Sequence, residues 1–208
     1  MKLLHVDASA KGERSNSRAL GRYFIEQLQA QGLELEIDYL DLAREAPAAV
    51  TEAFAIATYT APQARTEQMR QTLAASDVLC ERLLQADACL FAMPMYNWSM
   101  PSSFKAYIDN ITRTELTYLN TADGIVGQLS RQKVLFLTSR GADLRPGNPM
   151  AWMDALTPAL RAAFAFIGVQ HPQFVDAQPL QFADPQARGE ALERARGELL
   201  QVARQWAA

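Results

Sequence analysis

Residues 89–101 read Cys89-Leu90-Phe91-Ala92-Met93-Pro94-Met95-Tyr96-Asn97-Trp98-Ser99-Met100-Pro101. The apolar run Cys89–Met93, ended by a proline, is a short strand of the kind buried on both faces. Pro101 then opens a helix, because proline at the first helical position forfeits only an N–H that would be unpaired anyway. Phe104, Tyr107, Ile108 and Ile111 recur along one side of that helix, Pro101–Thr112. Strand, loop and helix in this order form the repeating unit of a parallel sheet. The same unit recurs on either side. Lys133–Thr138 is a second fully buried strand, followed by a helix over Met150–Ile167 that Gly168 ends. Lys2–Asp7 is a third. The helix after it, Ser17–Gln31, carries Leu20, Tyr23, Phe24 and Leu28 and stops at Gly32.

The remaining segments extend the alternation. Leu33–Leu42 places Leu35, Ile37 and Tyr39 at period two and reads as a strand; Pro62–Gln85 reads as one long helix. Gln173–Ala177 is a weaker last strand, and Asp184–Trp206 is a polar-faced terminal helix. Residues 44–63 are apolar but poorly periodic, and a short helix or lid is expected there. Five strands alternating with five helical regions imply a parallel sheet covered on both faces. Right-handed crossovers leave few topologies. The expectation is an α/β, flavodoxin-like three-layer α/β/α fold with a five-stranded parallel sheet in the order 2-1-3-4-5, as one domain over residues 1–208.

Composition narrows the function classes. A chain of 208 residues with 49% hydrophobic and 21% charged residues can bury one sizeable core and is not disordered. A net charge of −3 supplies no general attraction to nucleic acid or to an anionic membrane. No apolar run reaches the roughly 18 residues of a membrane span. The opening MKLLHVDASA is too short and too polar for a signal peptide. Cys80 and Cys89 make no disulfide framework, so a cytoplasmic protein with reduced thiols is expected. His5 and His171 have no partners at metal-ligand spacing, and no metal site is expected. His5, Asp7 and Ser9 are expected to be split between the two faces of the first strand, which argues against a hydrolase triad.

In a doubly wound sheet a ligand sits beyond the carboxyl ends of the strands, near the reversal of strand order. That selects the loops Ala8–Asn16, Pro94–Met100 and Ser139–Pro149. In the first, Ser9, Ser15, Asn16 and Ser17 are short donors at a helix start, where free N–H groups and the helix dipole favour an anion. Arg14 and Arg18 are expected to raise the local potential. Neither G-x-G-x-x-G nor G-x-x-x-x-G-K-[ST] is present, which points to one phosphomonoester more than to a pyrophosphate or triphosphate. A plain helix cap would equally account for Ser15 or Ser17 taken alone. In the second loop Tyr96 and Trp98 offer a flat apolar surface suited to a heteroaromatic ring, and Asn97 adds a donor and an acceptor. In the third, Ser139 and Arg140 could bond a carbonyl edge, and Gly141 allows close backbone approach beside Ala142.

The ordered set of Ser9, Ser15-Asn16-Ser17, Pro94-Met95-Tyr96-Asn97, Lys105–Ile111, Lys133–Gly141 and Phe166-Ile167-Gly168 resembles the FMN-dependent NADH azoreductases, relatives of the larger NAD(P)H quinone reductases. The Pro-Met-Tyr-Asn run is the most specific piece, and the resemblance spans essentially the whole chain. It implies a homodimer with one FMN per subunit near the interface, NADH or NADPH as reductant, and a small quinone or azo acceptor. It places Ser9, Ser15, Asn16 and Ser17 at the phosphate and ribityl chain. It places Met95, Tyr96, Asn97 and Trp98 at the ring, with Ser139, Arg140, Gly141 and Ala142 along its other edge. Asn120 and Phe164 are substrate-pocket candidates. No side chain is expected to be catalytic, since the flavin carries the chemistry, and a shared site for reductant and acceptor implies ping-pong kinetics. The chain departs from the family at Ala142, where a second glycine is usual, at Asn120, where an aromatic is common, and over Leu116–Asn120, which lacks a basic residue. The competing reading is a flavodoxin-type FMN electron carrier without its own substrate site; a flavin-binding regulatory protein is a third. The modest charge and the Arg14-Ser15-Asn16-Ser17 loop fit a carrier less well.

Overall fold

A computed structural model describes all residues, 1–208. Its elements in chain order are β1 (Lys2–Asp7), α1 (Asn16–Ala30), β2 (Glu36–Asp41), α2 (Glu52–Tyr59), α3 (Glu67–Gln85), β3 (Ala88–Pro94), α4 (Ser102–Ile111), β4 (Tyr118–Thr121), β5 (Gly124–Gly127), β6 (Lys133–Ser139), α5 (Leu156–Phe166), β7 (Gln173–Ala177) and α6 (Pro185–Ala207). Five strands form one parallel sheet in the order β2-β1-β3-β6-β7. Counted within that sheet, this is the expected 2-1-3-4-5. The order reverses at β1 and β3, whose carboxyl ends carry the first two of the selected loops.

The strand alternation sorts the core into two layers. Leu4, Val6, Phe91, Met93, Val134 and Phe136 point to the side covered by α3, α4 and α5. Leu3, Leu90, Ala92, Leu135, Leu137 and Val175 point to the side covered by α1 and α6. Phe91 is the centre of the first layer, with the rings of Phe104, Phe136 and Phe164 at 5.6, 5.3 and 5.0 Å. Burying each such ring contributes about 1.5–3 kcal/mol.

Several expectations change in detail. The helix read over Pro62–Gln85 is a single turn, Pro62–Ala64, followed by α3; Thr66 caps α3 by accepting from the Met69 N–H at 3.3 Å. The helix read over Met150–Ile167 is likewise a turn at Ala151–Met153 and then α5, because Asp154 accepts from the N–H groups of Leu156 and Thr157, each at 3.0 Å. A short helix does occupy residues 44–63, as α2. The antiparallel hairpin β4–β5 has no counterpart among the expected elements. It docks through Gly127, where an added Cβ would lie 2.2 Å from the Gly168 nitrogen, so only glycine allows the contact. Alternate residues of a strand share a face, and His5 and Asp7 accordingly lie together, His5 Nε2 standing 3.3 Å from Asp7 Oδ1. The expected split between faces is therefore incorrect. No triad results, since the Ser9 hydroxyl instead accepts from the Lys11 N–H at 3.3 Å.

Candidate functional site

The carboxyl ends of β1, β3, β6 and β7 meet around a cavity of about 440 Å³, lined by Ser9, Ser15, Asn16, Tyr96, Ser139 and Gly141 among others. A second recess of about 410 Å³ lies alongside. It is lined by Met95, Tyr96, Asn97, Trp98, Gly141, Ala142, Gln181 and Phe182, so Met95, Tyr96, Gly141 and Gln181 belong to both. Each volume lies in the ordinary range of small-molecule sites, roughly 300–1,000 Å³.

The first cavity is built at the start of α1. Ser15 is the N-cap, its Oγ accepting from the Arg18 N–H at 3.3 Å, and the Ser9 Oγ accepts from Lys11. A hydroxyl that accepts a backbone N–H keeps its own proton for another acceptor. The N–H groups of Asn16 and Ser17 open the helix and have no intrahelical partner. Lys11 and Arg188 bring positive charge, and no carboxylate lines the cavity. Arg188 donates to Asn16 Oδ1 at 3.2 Å. Hydroxyl donors, free N–H groups and unopposed cations suit a phosphate.

The second recess is shaped by a strained turn. Tyr96 and Ser99 exchange backbone hydrogen bonds at 2.9 and 3.0 Å, with φ of 47° at Asn97 and 71° at Trp98. Two consecutive left-handed residues other than glycine are costly, and such strain is held only where surroundings enforce it. Here the Met95 N–H donates to the Ser139 carbonyl at 2.9 Å, the Ala155 N–H to Trp98 O at 3.2 Å, and the Ala10 N–H to the Tyr96 hydroxyl at 3.3 Å. The turn leaves the N–H groups of Asn97 and Trp98 without partners, beside the ring of Tyr96. Opposite, the Gly141 carbonyl accepts from the N–H groups of Leu180, Gln181 and Phe182 at 3.1, 3.1 and 3.0 Å. This folds the segment between β7 and α6 across the mouth. A Cβ at Gly141 would stand 3.2 Å from the Gln181 Cβ and 3.3 Å from the Phe182 ring.

Eleven of the twelve expected cofactor contacts line these two recesses: Ser9, Ser15, Asn16, Met95, Tyr96, Asn97, Trp98, Ser139, Arg140, Gly141 and Ala142. Ser17 is fully buried just behind them, its hydroxyl 3.1 Å from that of Ser15. Arg140 lines the first cavity, but most of its guanidinium N–H groups are engaged by other side chains. Nη1 holds Asp154 at 2.8 Å, Nη2 holds Asp176 at 2.9 Å and Thr157 at 2.8 Å, and Nε holds Thr138 at 2.8 Å. Burial pushes Asp154 up, but the Thr157 amide and hydroxyl and then Arg140 outweigh it and hold the carboxyl below its ordinary value. At Asp176 burial prevails over the same guanidinium and raises it.

The expectation for Arg18 is corrected: it does not lend free charge to the cavity, because Asp41 pairs with it at 2.6 Å. Phe164 is 0% exposed in the aromatic core and lines neither recess. Asn120 lies on β4, bonded to Thr114 at 3.1 Å beside a different hollow formed with residues 58–65. Within one chain neither reaches the candidate site. The sequence reading missed Gln181, Phe182 and Arg188. The available signal was positional, since the loop after the last strand also emerges at the carboxyl edge. No group of three or more His, Cys, Asp or Glu side chains is placed to hold a metal ion.

Comparison with known proteins agrees with this fold. A family model described as a flavodoxin-like fold matches residues 1–203. The FMN-dependent NADH:quinone oxidoreductase 1 of Trichormus variabilis is 41% identical over 177 residues, covering 85% of this chain and 84% of that one. The FMN-dependent NADH:quinone oxidoreductase of Nostoc punctiforme is 37% identical over 175 residues, covering 84% and 85%. Among solved structures, an azoreductase from Bacillus anthracis superposes with a TM-score of 0.89 at 24% identity, covering 99% of each chain. An FMN-dependent NADH-azoreductase from the same species, solved with FMN, gives 0.87 at 22% identity over 100% and 99%. At these identities the two structures speak for the fold.

Proposed function

Since this chain belongs to the flavodoxin-like fold family, we propose that its paired recesses hold FMN and that it is an oxidoreductase passing reducing equivalents from NAD(P)H through FMN to quinones and azo compounds. One observation carries the reading: a donor cradle free of carboxylates at the start of α1 runs directly into a recess walled by Tyr96 and Trp98. Ser9, Ser15 and the N–H groups of Asn16 and Ser17 bind the phosphate, with Lys11 and Arg188 adding charge. The N–H groups of Asn97 and Trp98 meet the polar edge of the ring, and Met95 and Tyr96 lie against its body. Ser139 and Gly141 border the other edge. The bound flavin supplies the hydride chemistry. The protein binds, orients and shields it, and no side chain need act as nucleophile.

Reductant and acceptor occupying the same recess in turn makes the kinetics ping-pong. The recess is bounded by Phe182, 71% exposed, which leaves an apolar rim for a flat acceptor. We propose that the chain is a homodimer, supported by the apolar groove of about 540 Å³ between residues 45–54 and α3, in whose lining Val78 is exposed. No helix is long and apolar enough to cross a membrane. Both cysteines are free and buried, which suits the reducing cytoplasm.

The test is an absorbance spectrum of purified protein given FMN, then NADH, then a water-soluble quinone. The enzyme reading expects a bound-flavin band, bleaching by NADH and many turnovers, with parallel double-reciprocal lines. A carrier would take up flavin yet need a partner reductase. A chain that stays colourless has no reactive centre.

A further inference from the structure

Behind the phosphate cradle lies a buried charge cluster that the site does not use directly. Arg18, on the first turn of α1, is 6% exposed. Its fork closes on Asp41 at the end of β2, Nη2 to Oδ1 at 2.6 Å and Nη1 to Oδ2 at 2.9 Å. Nη1 also reaches the Tyr39 hydroxyl at 2.9 Å and Asp7 Oδ2 at 3.4 Å. Tyr39 donates to Asp7 at 2.9 Å. Burial and that bond push the phenol up to about 12, so it remains a donor.

Two carboxylates thus face one guanidinium in a nearly dry place. Burying such groups costs more than their attraction reliably returns, and apolar residues would fill the space at least as stably. A positional task accounts for the cluster better. Arg18 Nη2 donates to the carbonyl of Ser9 at 2.8 Å, and the Arg18 N–H donates to the hydroxyl of Ser15. The fork thus holds Ser9, while the backbone N–H of the same residue holds Ser15, and the hydroxyls of both serines face the cavity. Asp41 fixes the fork, and through it the place of Ser9 relative to Ser15.

Resting on the FMN reading, we propose that Arg18, clamped by Asp41, is a positioning residue that sets Ser9 against Ser15 at phosphate spacing and so selects the phosphorylated flavin over riboflavin. A lysine keeps the charge but lacks the planar fork that can hold a carboxylate and a carbonyl together.

The test is titration of flavin-free protein with FMN and, separately, with riboflavin, for the unaltered chain, Arg18→Lys and Asp41→Asn, with the phosphorus NMR resonance of bound FMN as a second readout. The unaltered chain should prefer FMN. Both variants should weaken FMN by about tenfold, the scale of a charge-assisted hydrogen bond, while riboflavin affinity holds within about twofold. The phosphorus resonance should move in both. Parallel losses for the two flavins, or an unchanged FMN affinity and resonance, would overturn the proposal. Should Arg18→Lys fail to fold, Asp41→Asn, which keeps side-chain size, decides. If the unaltered chain takes up neither flavin, the cofactor reading falls and this proposal with it. If it takes up FMN and the variants keep the ratio, the positioning role alone falls.

Discussion

Arg188 on α6 donates from Nη2 to Oδ1 of Asn16, the first residue of α1, at 3.2 Å, across 172 positions of sequence. The contact brings the start of the last helix to the start of the first and places a cation over the cradle. Arg188→Gln should weaken FMN by roughly three- to tenfold at low salt, and the deficit should shrink as ionic strength rises, since exposed charges are screened. A salt-independent loss, or none, would show that Arg188 does not act on the phosphate through its charge.

Ser15 and Ser17 are separable. Ser15 caps α1 and lines the cavity, whereas Ser17 sits behind it with its hydroxyl on that of Ser15. Ser15→Ala should cost about 1 kcal/mol of stability through the lost cap and about tenfold in FMN affinity. Ser17→Ala should cost less FMN affinity than Ser15→Ala. Calorimetric unfolding and flavin titration of both variants check this, and a larger affinity loss at Ser17 would reverse the assignment.

The β4–β5 hairpin is fixed by glycine against glycine. A methyl group at Gly127 would meet Ile167 C and Gly168 N at 2.2 Å, backbone that cannot step aside cheaply. Gly127→Ala should lower stability by roughly 2–3 kcal/mol, the scale of a severe packing conflict. Denaturant unfolding measures it. A change under about 0.5 kcal/mol, the range of an ordinary surface substitution, would mean that the hairpin docks more loosely.

Acid should lower stability through Asp41 and Asp154. Burial pushes Asp41 up, but the Arg18 fork, the Ala43 N–H and Arg44 outweigh it and hold the carboxyl below its ordinary 3.8. A depressed carboxyl contributes stability above its unfolded value and loses it as pH falls through the folded one. Asp154 has the same sign, so stability should decline below about pH 4. Asp176, raised by burial, has the opposite sign: its contribution is present in acid and is lost as pH rises through its folded value. Asp41→Asn and Asp154→Asn should flatten the acid limb of a melting-temperature profile, and Asp176→Asn should steepen it. Superimposable profiles would exclude these linkages.

The sheet was legible because its strands are local signals. Cys89–Met93 and Lys133–Thr138 are apolar runs that only a doubly covered strand accommodates, and both stand within a residue of their observed bounds. The hairpin at Tyr118–Gly127 was not legible, since it is short and largely exposed and shows no alternation; its reason for being there is Gly168, far along the chain. Helix interiors were read well and their starts less so, because side chains such as Thr66 and Asp154 restart a helix within an otherwise continuous apolar pattern.

Sequence by itself determined the layer order and which loops reach the carboxyl edge, because periodicity and proline placement act over a few residues. Tertiary structure decided which side chains there remain free. Arg18 and Arg140 read as available cations, yet partners 23 and 36 positions away engage them. Phe164, read as a pocket candidate, packs into the aromatic core. A residue's type sets what it can bond, but only the assembled fold brings up the partners that use that capacity first.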